Sequence, residues 1–71
     1  MTASVLVLAS AGCTSPERAA QERFELARFE EQQGNAAHAR QIYQEIIAKY
    51  PETSWAEQAR QRVGELPSAQ P

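Results

Sequence analysis

Residues 34–51, read as GNAAHARQIYQEIIAKYP, constrain the fold of this chain more than any other stretch. Six apolar residues recur there at helical spacing and share one side of a helix at about 100° per residue: Ala39, Ile42, Tyr43, Ile46, Ile47 and Tyr50. Gly34 suits the left-handed position that closes a preceding helix, and Asn35 can cap the new helix through its side-chain oxygen. Pro51 ends the helix because proline has no N–H to donate. Flanking segments must therefore cover the apolar side.

Capping residues predict one helix before this stretch and one after it. Ser15 and Pro16 suit the N-cap and the first position of a helix. Ser54, followed three residues later by Glu57, is a capping box that opens a third helix. The fold class is therefore all-α, a helix–turn–helix hairpin plus a third helix. The three helices are predicted over about 16–33, 36–50 and 54–66.

The first helix has apolar residues on two nearly opposite sides. Ala20, Phe24 and Ala27 form one set, and Ala19, Leu26 and Phe29 form the other. The first set combines small residues with one large one, which suits close approach to Ala39 on the second helix. Leu26 and Phe29 are then left as a partner surface, for another molecule or a second copy of the chain.

Composition excludes most kinds of chemistry. The chain has 71 residues, a net charge of −2, one cysteine, one histidine and no aspartate. Its charges alternate in sign, which implies neither nucleic acid nor an anionic surface as partner. We expect no small-molecule substrate either. A metal site or a catalytic centre needs several convergent residues that this sequence does not supply. We therefore expect no enzyme activity, no metal and no cofactor. The Glu30–Glu31 pair and His38 are interpreted as solvated residues.

The N-terminal segment differs sharply from the rest. Residues 1–16 carry no charge, whereas all seven basic and nine acidic residues fall between positions 17 and 65. Residues 3–9, ASVLVLA, form a short apolar run that is followed by Ser10-Ala11-Gly12 and then Cys13. A membrane-spanning helix needs about 20 residues, but a secretory signal has an apolar core of this length.

This N-terminus resembles that of a bacterial lipoprotein precursor, in which small residues precede the cysteine that receives lipid. The resemblance implies a signal segment over 1–12, a lipidated linker over 13–15 that begins at Cys13, and palmitate incorporation. Ser10 stands where leucine is usual, and no basic residue precedes the apolar run. Thr14, rather than aspartate, follows the cysteine, which in lipoproteins of this kind implies the periplasmic face of the outer membrane. The alternative is an uncleaved apolar tail with an unimportant thiol.

The helical part, residues 16–66, resembles a tetratricopeptide repeat followed by the first helix of the next unit. Residues 67–71, which follow it, are predicted to be a disordered tail. That repeat is a helix–turn–helix of about 34 residues with a small residue, an aromatic residue four later and a proline near its end. The matching positions are Leu26, Ala27, Gly34, Ala39, Tyr43 and Pro51. Arg23 and Glu30 depart from the pattern, since large aromatic residues are usual there.

A sequence pattern around the second turn resembles, more specifically, the repeats of cell-envelope proteins. The shared residues are Tyr50, Pro51, Thr53, Trp55, Ala56, Ala59, Arg62, Val63 and Gly64. This sequence pattern is similar to one in the repeats of the outer-membrane β-barrel assembly lipoprotein and of the Tol–Pal-associated coordinator of peptidoglycan synthesis. The resemblance implies a module that binds protein segments.

Two functions are consistent with these observations. The first is a membrane-anchored envelope lipoprotein that acts as an adaptor or scaffold, with another envelope protein or a second copy as partner. The second is an unlipidated, soluble or remnant repeat fragment with no independent activity. A single repeat buries too little surface by itself, and stacking on another helical surface normally supplies the rest.

Overall fold

The computed structural model describes residues 15–67, which contain three α-helices and no strand. The helices are α1 (Pro16–Gln32), α2 (Ala36–Lys49) and α3 (Ser54–Glu65). Each helix packs against the other two. The predicted all-α class, the hairpin and the third helix are confirmed, with every boundary within one residue of the expected position.

The ends of α1 are determined by local sequence. The Ser15 hydroxyl accepts a hydrogen bond from the Arg18 N–H at 3.1 Å, and Pro16 occupies the first turn, as predicted. At the other end Gly34 has φ +84°, the left-handed conformation expected of it. Its N–H donates to the Glu31 carbonyl at 3.0 Å, and the Asn35 N–H donates to the Glu30 carbonyl at 2.9 Å. These two bonds form a Schellman motif, which closes α1 and turns the chain into α2.

The predicted side-chain cap by Asn35 is wrong. The Asn35 side chain makes no capping bond to α2; its Nδ2 instead donates to the Glu30 carboxylate at 2.8 Å. The Asn35 carbonyl still accepts the first bond of α2, from the Ala39 N–H at 2.9 Å. Because Asn35 belongs to the motif that closes α1, its side chain is directed back toward that helix.

The capping box at Ser54 is also wrong, although α3 begins where that box was expected. Thr53 is the N-cap, and its hydroxyl accepts from the Ala56 N–H at 3.1 Å while donating to the Tyr50 carbonyl at 2.8 Å. Thr53 is buried, with 7% of its surface exposed. One hydroxyl therefore joins the end of α2 to the start of α3. Ser54 lies inside the first turn and Glu57 pairs with Arg60 instead.

The core is formed by one side of each helix. Its buried residues are Ala20, Phe24 and Ala27 of α1, Ala39, Ile42, Tyr43 and Ile46 of α2, and Ala56 and Ala59 of α3. Five of these nine are alanines, which allows the helix backbones to approach closely. Ile47, Tyr50, Trp55, Val63 and Leu66 pack around them half-buried. The apolar stripe predicted for α2 is thus confirmed.

Phe24 joins all three helices. Its ring lies 5.3 Å from the ring of Tyr43 on α2 and 5.2 Å from that of Trp55 on α3, with interplanar angles of 60° and 49°. Tilted aromatic pairs at this distance contribute about 0.5–1.5 kcal/mol each beyond the area that they bury. Within residues 15–67, no helix is long and apolar enough to cross a membrane.

Candidate interaction surface

Leu26 and Phe29 are the exposed large hydrophobic residues of the described part of the chain. Leu26 is 43% exposed and Phe29 is 53% exposed, on the side of α1 that faces away from the core. They lie about one turn apart and so form a single apolar surface. Both residues are exposed, as the spacing indicated, and we refer to the pair as the Leu26–Phe29 surface; its role as a partner surface stays a prediction.

Close packing on the opposite side of α1 holds this surface in place. Ala27 and Ala39 are both completely buried, as expected for the closest contact between α1 and α2. Since Ala27 and Phe24 are fixed in the core, the rotation of α1 about its axis is fixed too. Leu26 and Phe29 cannot turn inward without exposing Phe24.

The opposite end of the three-helix unit is polar. The residues of α3 that are exposed to solvent are Ser54, Glu57, Gln58, Arg60, Gln61, Gly64 and Glu65. Among them Arg60 and Glu57 form an ion pair at 3.1 Å. The fully exposed residues of α3 are thus polar or glycine, whereas α1 exposes two large apolar residues, Leu26 and Phe29, among charged ones.

Charged groups flank the Leu26–Phe29 surface on the side nearer α2. Arg23 Nη1 lies 3.2 Å from the Glu45 carboxylate, and Lys49 Nζ lies 3.2 Å from the other oxygen of the same carboxylate. Arg23 and Lys49 thus share the single negative charge of Glu45. About two turns further along α1, the Glu30 carboxylate contacts His38 Nδ1 at 3.3 Å. An excess of positive charge therefore lies at one end of this flank.

The Glu30 carboxylate lies at the other end of the flank and is contacted by Asn35 and His38. Its pKa lies below the ordinary value, chiefly because the Asn35 side chain donates a hydrogen bond to the carboxylate. Within residues 15–67, His38 is its ion-pair partner, and histidine carries charge only when protonated. Only 15% of the Glu30 side chain is exposed, so the interpretation of Glu30 as a solvated residue is wrong.

Sequence reasoning missed a polar cluster in which Glu31 joins all three helices. The Glu31 carboxylate accepts hydrogen bonds from the Tyr43 hydroxyl of α2 and from the Arg62 guanidinium of α3, whose Nε lies 3.1 Å away. Arg28 approaches the same carboxylate at 3.9 Å, and Arg62 also binds Glu65 at 2.6 Å. The interpretation of Glu31 as a solvated helix end is wrong, since only 12% of its side chain is exposed.

The pKa values follow from these contacts. The pKa of Glu31 is lowered, chiefly by the hydrogen bond from Arg62, although partial burial acts in the opposite direction. Burial raises the pKa of Tyr43, and the neighbouring Glu31 carboxylate raises it further. The pKa of Arg62 is raised, chiefly by its hydrogen bond to Glu31. Glu31 is therefore ionised and Tyr43 protonated at neutral pH. This cluster is fully paired and stabilises the helix arrangement.

One open groove lies where the chain enters α1. It has a volume of about 420 Å³ and is lined by Pro16, Glu17, Lys49, Tyr50, Pro51, Glu52 and Thr53. Its charged residues, Glu17, Lys49 and Glu52, are of both signs. The described residues contain no group of three or more potential metal ligands. The Leu26–Phe29 surface is consequently the stronger candidate for binding.

The repeat-motif residues occupy the positions that a helical repeat requires. Ala27, Ala39 and Tyr43 are buried between the helices, Gly34 makes the turn, and Pro51 follows the C-cap of α2. Leu26 differs in that no neighbouring element covers it. The predicted lipidation residue, Cys13, lies outside the described residues.

An antiparallel helical hairpin with an alanine contact and a glycine turn, followed by a third helix on the same core, defines one helical repeat plus the first helix of a second. The chain belongs to the tetratricopeptide repeat family, whose model matches residues 20–66. Repeats of this family are typically non-catalytic modules that bind other proteins. No curated protein and no solved structure matches this chain significantly.

Proposed function

We propose that this protein is a small cell-envelope lipoprotein that is anchored by lipid on Cys13 and serves as a protein–protein adaptor. Its single repeat unit presents the Leu26–Phe29 surface to another envelope protein or to a second copy. The lipid anchor holds the unit at the periplasmic face of the outer membrane, as the Thr14 that follows the cysteine favours.

The observation that carries the adaptor role is the exposed apolar surface on a repeat unit of this family. A domain of about 50 residues has little apolar area to bury, so leaving a leucine and a phenylalanine in water is costly unless a partner covers them. The polar face of α3 directs binding to the α1 side. The adaptor function is therefore exerted through the protein that contacts the exposed side of α1.

The anchor is supported by the order of residues before α1. An uncharged apolar run and three small residues precede Cys13, and Ser15 caps α1 only two residues later. Each buried methylene contributes about 0.8 kcal/mol to membrane binding, so two or more acyl chains hold a small domain at a bilayer. Two residues span at most about 7 Å, which keeps the repeat unit close to the membrane.

Radiolabelled palmitate tests the anchor. The full chain, expressed with its own N-terminus in a Gram-negative host, should incorporate the label and sediment with membranes. Cys13→Ser should abolish both, because no other residue of this chain can form the thioether. A wild-type protein that remains soluble and unlabelled contradicts the anchor and favours the remnant-fragment alternative.

Site-specific photo-crosslinking tests the adaptor role in the same cells. A photoreactive phenylalanine analogue in place of Phe29 should give a discrete crosslinked product in membranes. The same analogue in place of Gln61, on the polar face of α3, is the matched control and should give none. Crosslinks of equal strength at both positions, or none at Phe29, contradict the assignment of the surface.

A further inference from the structure

We draw no further inference here: the strongest candidate, the apolar Leu26–Phe29 surface on the exposed side of α1, is already assigned to the adaptor role, and nothing in the structure shows what covers it.

Discussion

Replacing each of two glycines by alanine should change stability in opposite directions. Gly34 has φ +84° in the turn between α1 and α2, whereas Gly64 lies within α3. An added Cβ meets no atom within 4 Å at either position, so steric overlap does not contribute. The difference between the two substitutions therefore isolates backbone conformation.

The expected magnitudes follow from that difference. An L-residue in the left-handed region costs about 1–2 kcal/mol, so Gly34→Ala should lower the free energy of unfolding by about that amount. Gly64→Ala removes a glycine from the last turn of α3 and should raise it by at most about 0.5–1 kcal/mol. Gly34→Val should be destabilising by more than about 1 kcal/mol, because a β-branched residue fits that conformation poorly.

Urea unfolding followed by circular dichroism measures these changes. With a slope of about 1 kcal/mol per molar urea for a domain of this size, the two alanine variants should have midpoints about 1.5–3 M apart. All proteins must be compared at one low concentration, since association stabilises the folded form. Equal midpoints, or a Gly34→Ala variant as stable as the wild type, would refute the left-handed turn and favour one continuous helix.

Five further substitutions, two of them controls, test other contacts. Thr53→Ala should cost about 1–2 kcal/mol in urea unfolding because it removes the cap of α3, whereas Ser54→Ala should cost under about 0.5 kcal/mol. Glu31→Gln should be destabilising at pH 7. Because folding lowers the pKa of this carboxyl, its contribution is present above the ordinary value of 4.5 and lost as pH falls through the folded value, so the deficit should shrink in acid. Phe24→Glu should abolish helical circular dichroism, whereas Leu26→Glu should preserve it.

Local signals in the sequence accounted for most of the helix boundaries. Gly34 and Pro51 act through the backbone alone, one by accepting a positive φ and the other by lacking an N–H, so their effects can be predicted without knowledge of the neighbours. Ser15 caps α1 through a residue three positions away and is equally local. The faces of α1 were also predictable, because spacing at about 100° per residue separates Phe24 from Leu26.

Caps with two possible partners were predicted less well. Thr53 and Ser54 are both good N-cap residues, and the choice between them depends on the turn after Pro51, where the Thr53 hydroxyl also reaches the Tyr50 carbonyl. Asn35 can serve either helix, and the Schellman motif commits it to the end of α1. In both cases the path of the chain through the turn decided which residue caps which helix. That path cannot be predicted from the spacing of residues in the sequence.

What the sequence determined by itself was the number of helices, the positions of their ends to within one residue and the side of each helix that is apolar. All of these depend on interactions over at most one or two turns. Only the tertiary structure decided the role of Glu31, because Tyr43 and Arg62 belong to other helices and reach it only after all three have packed.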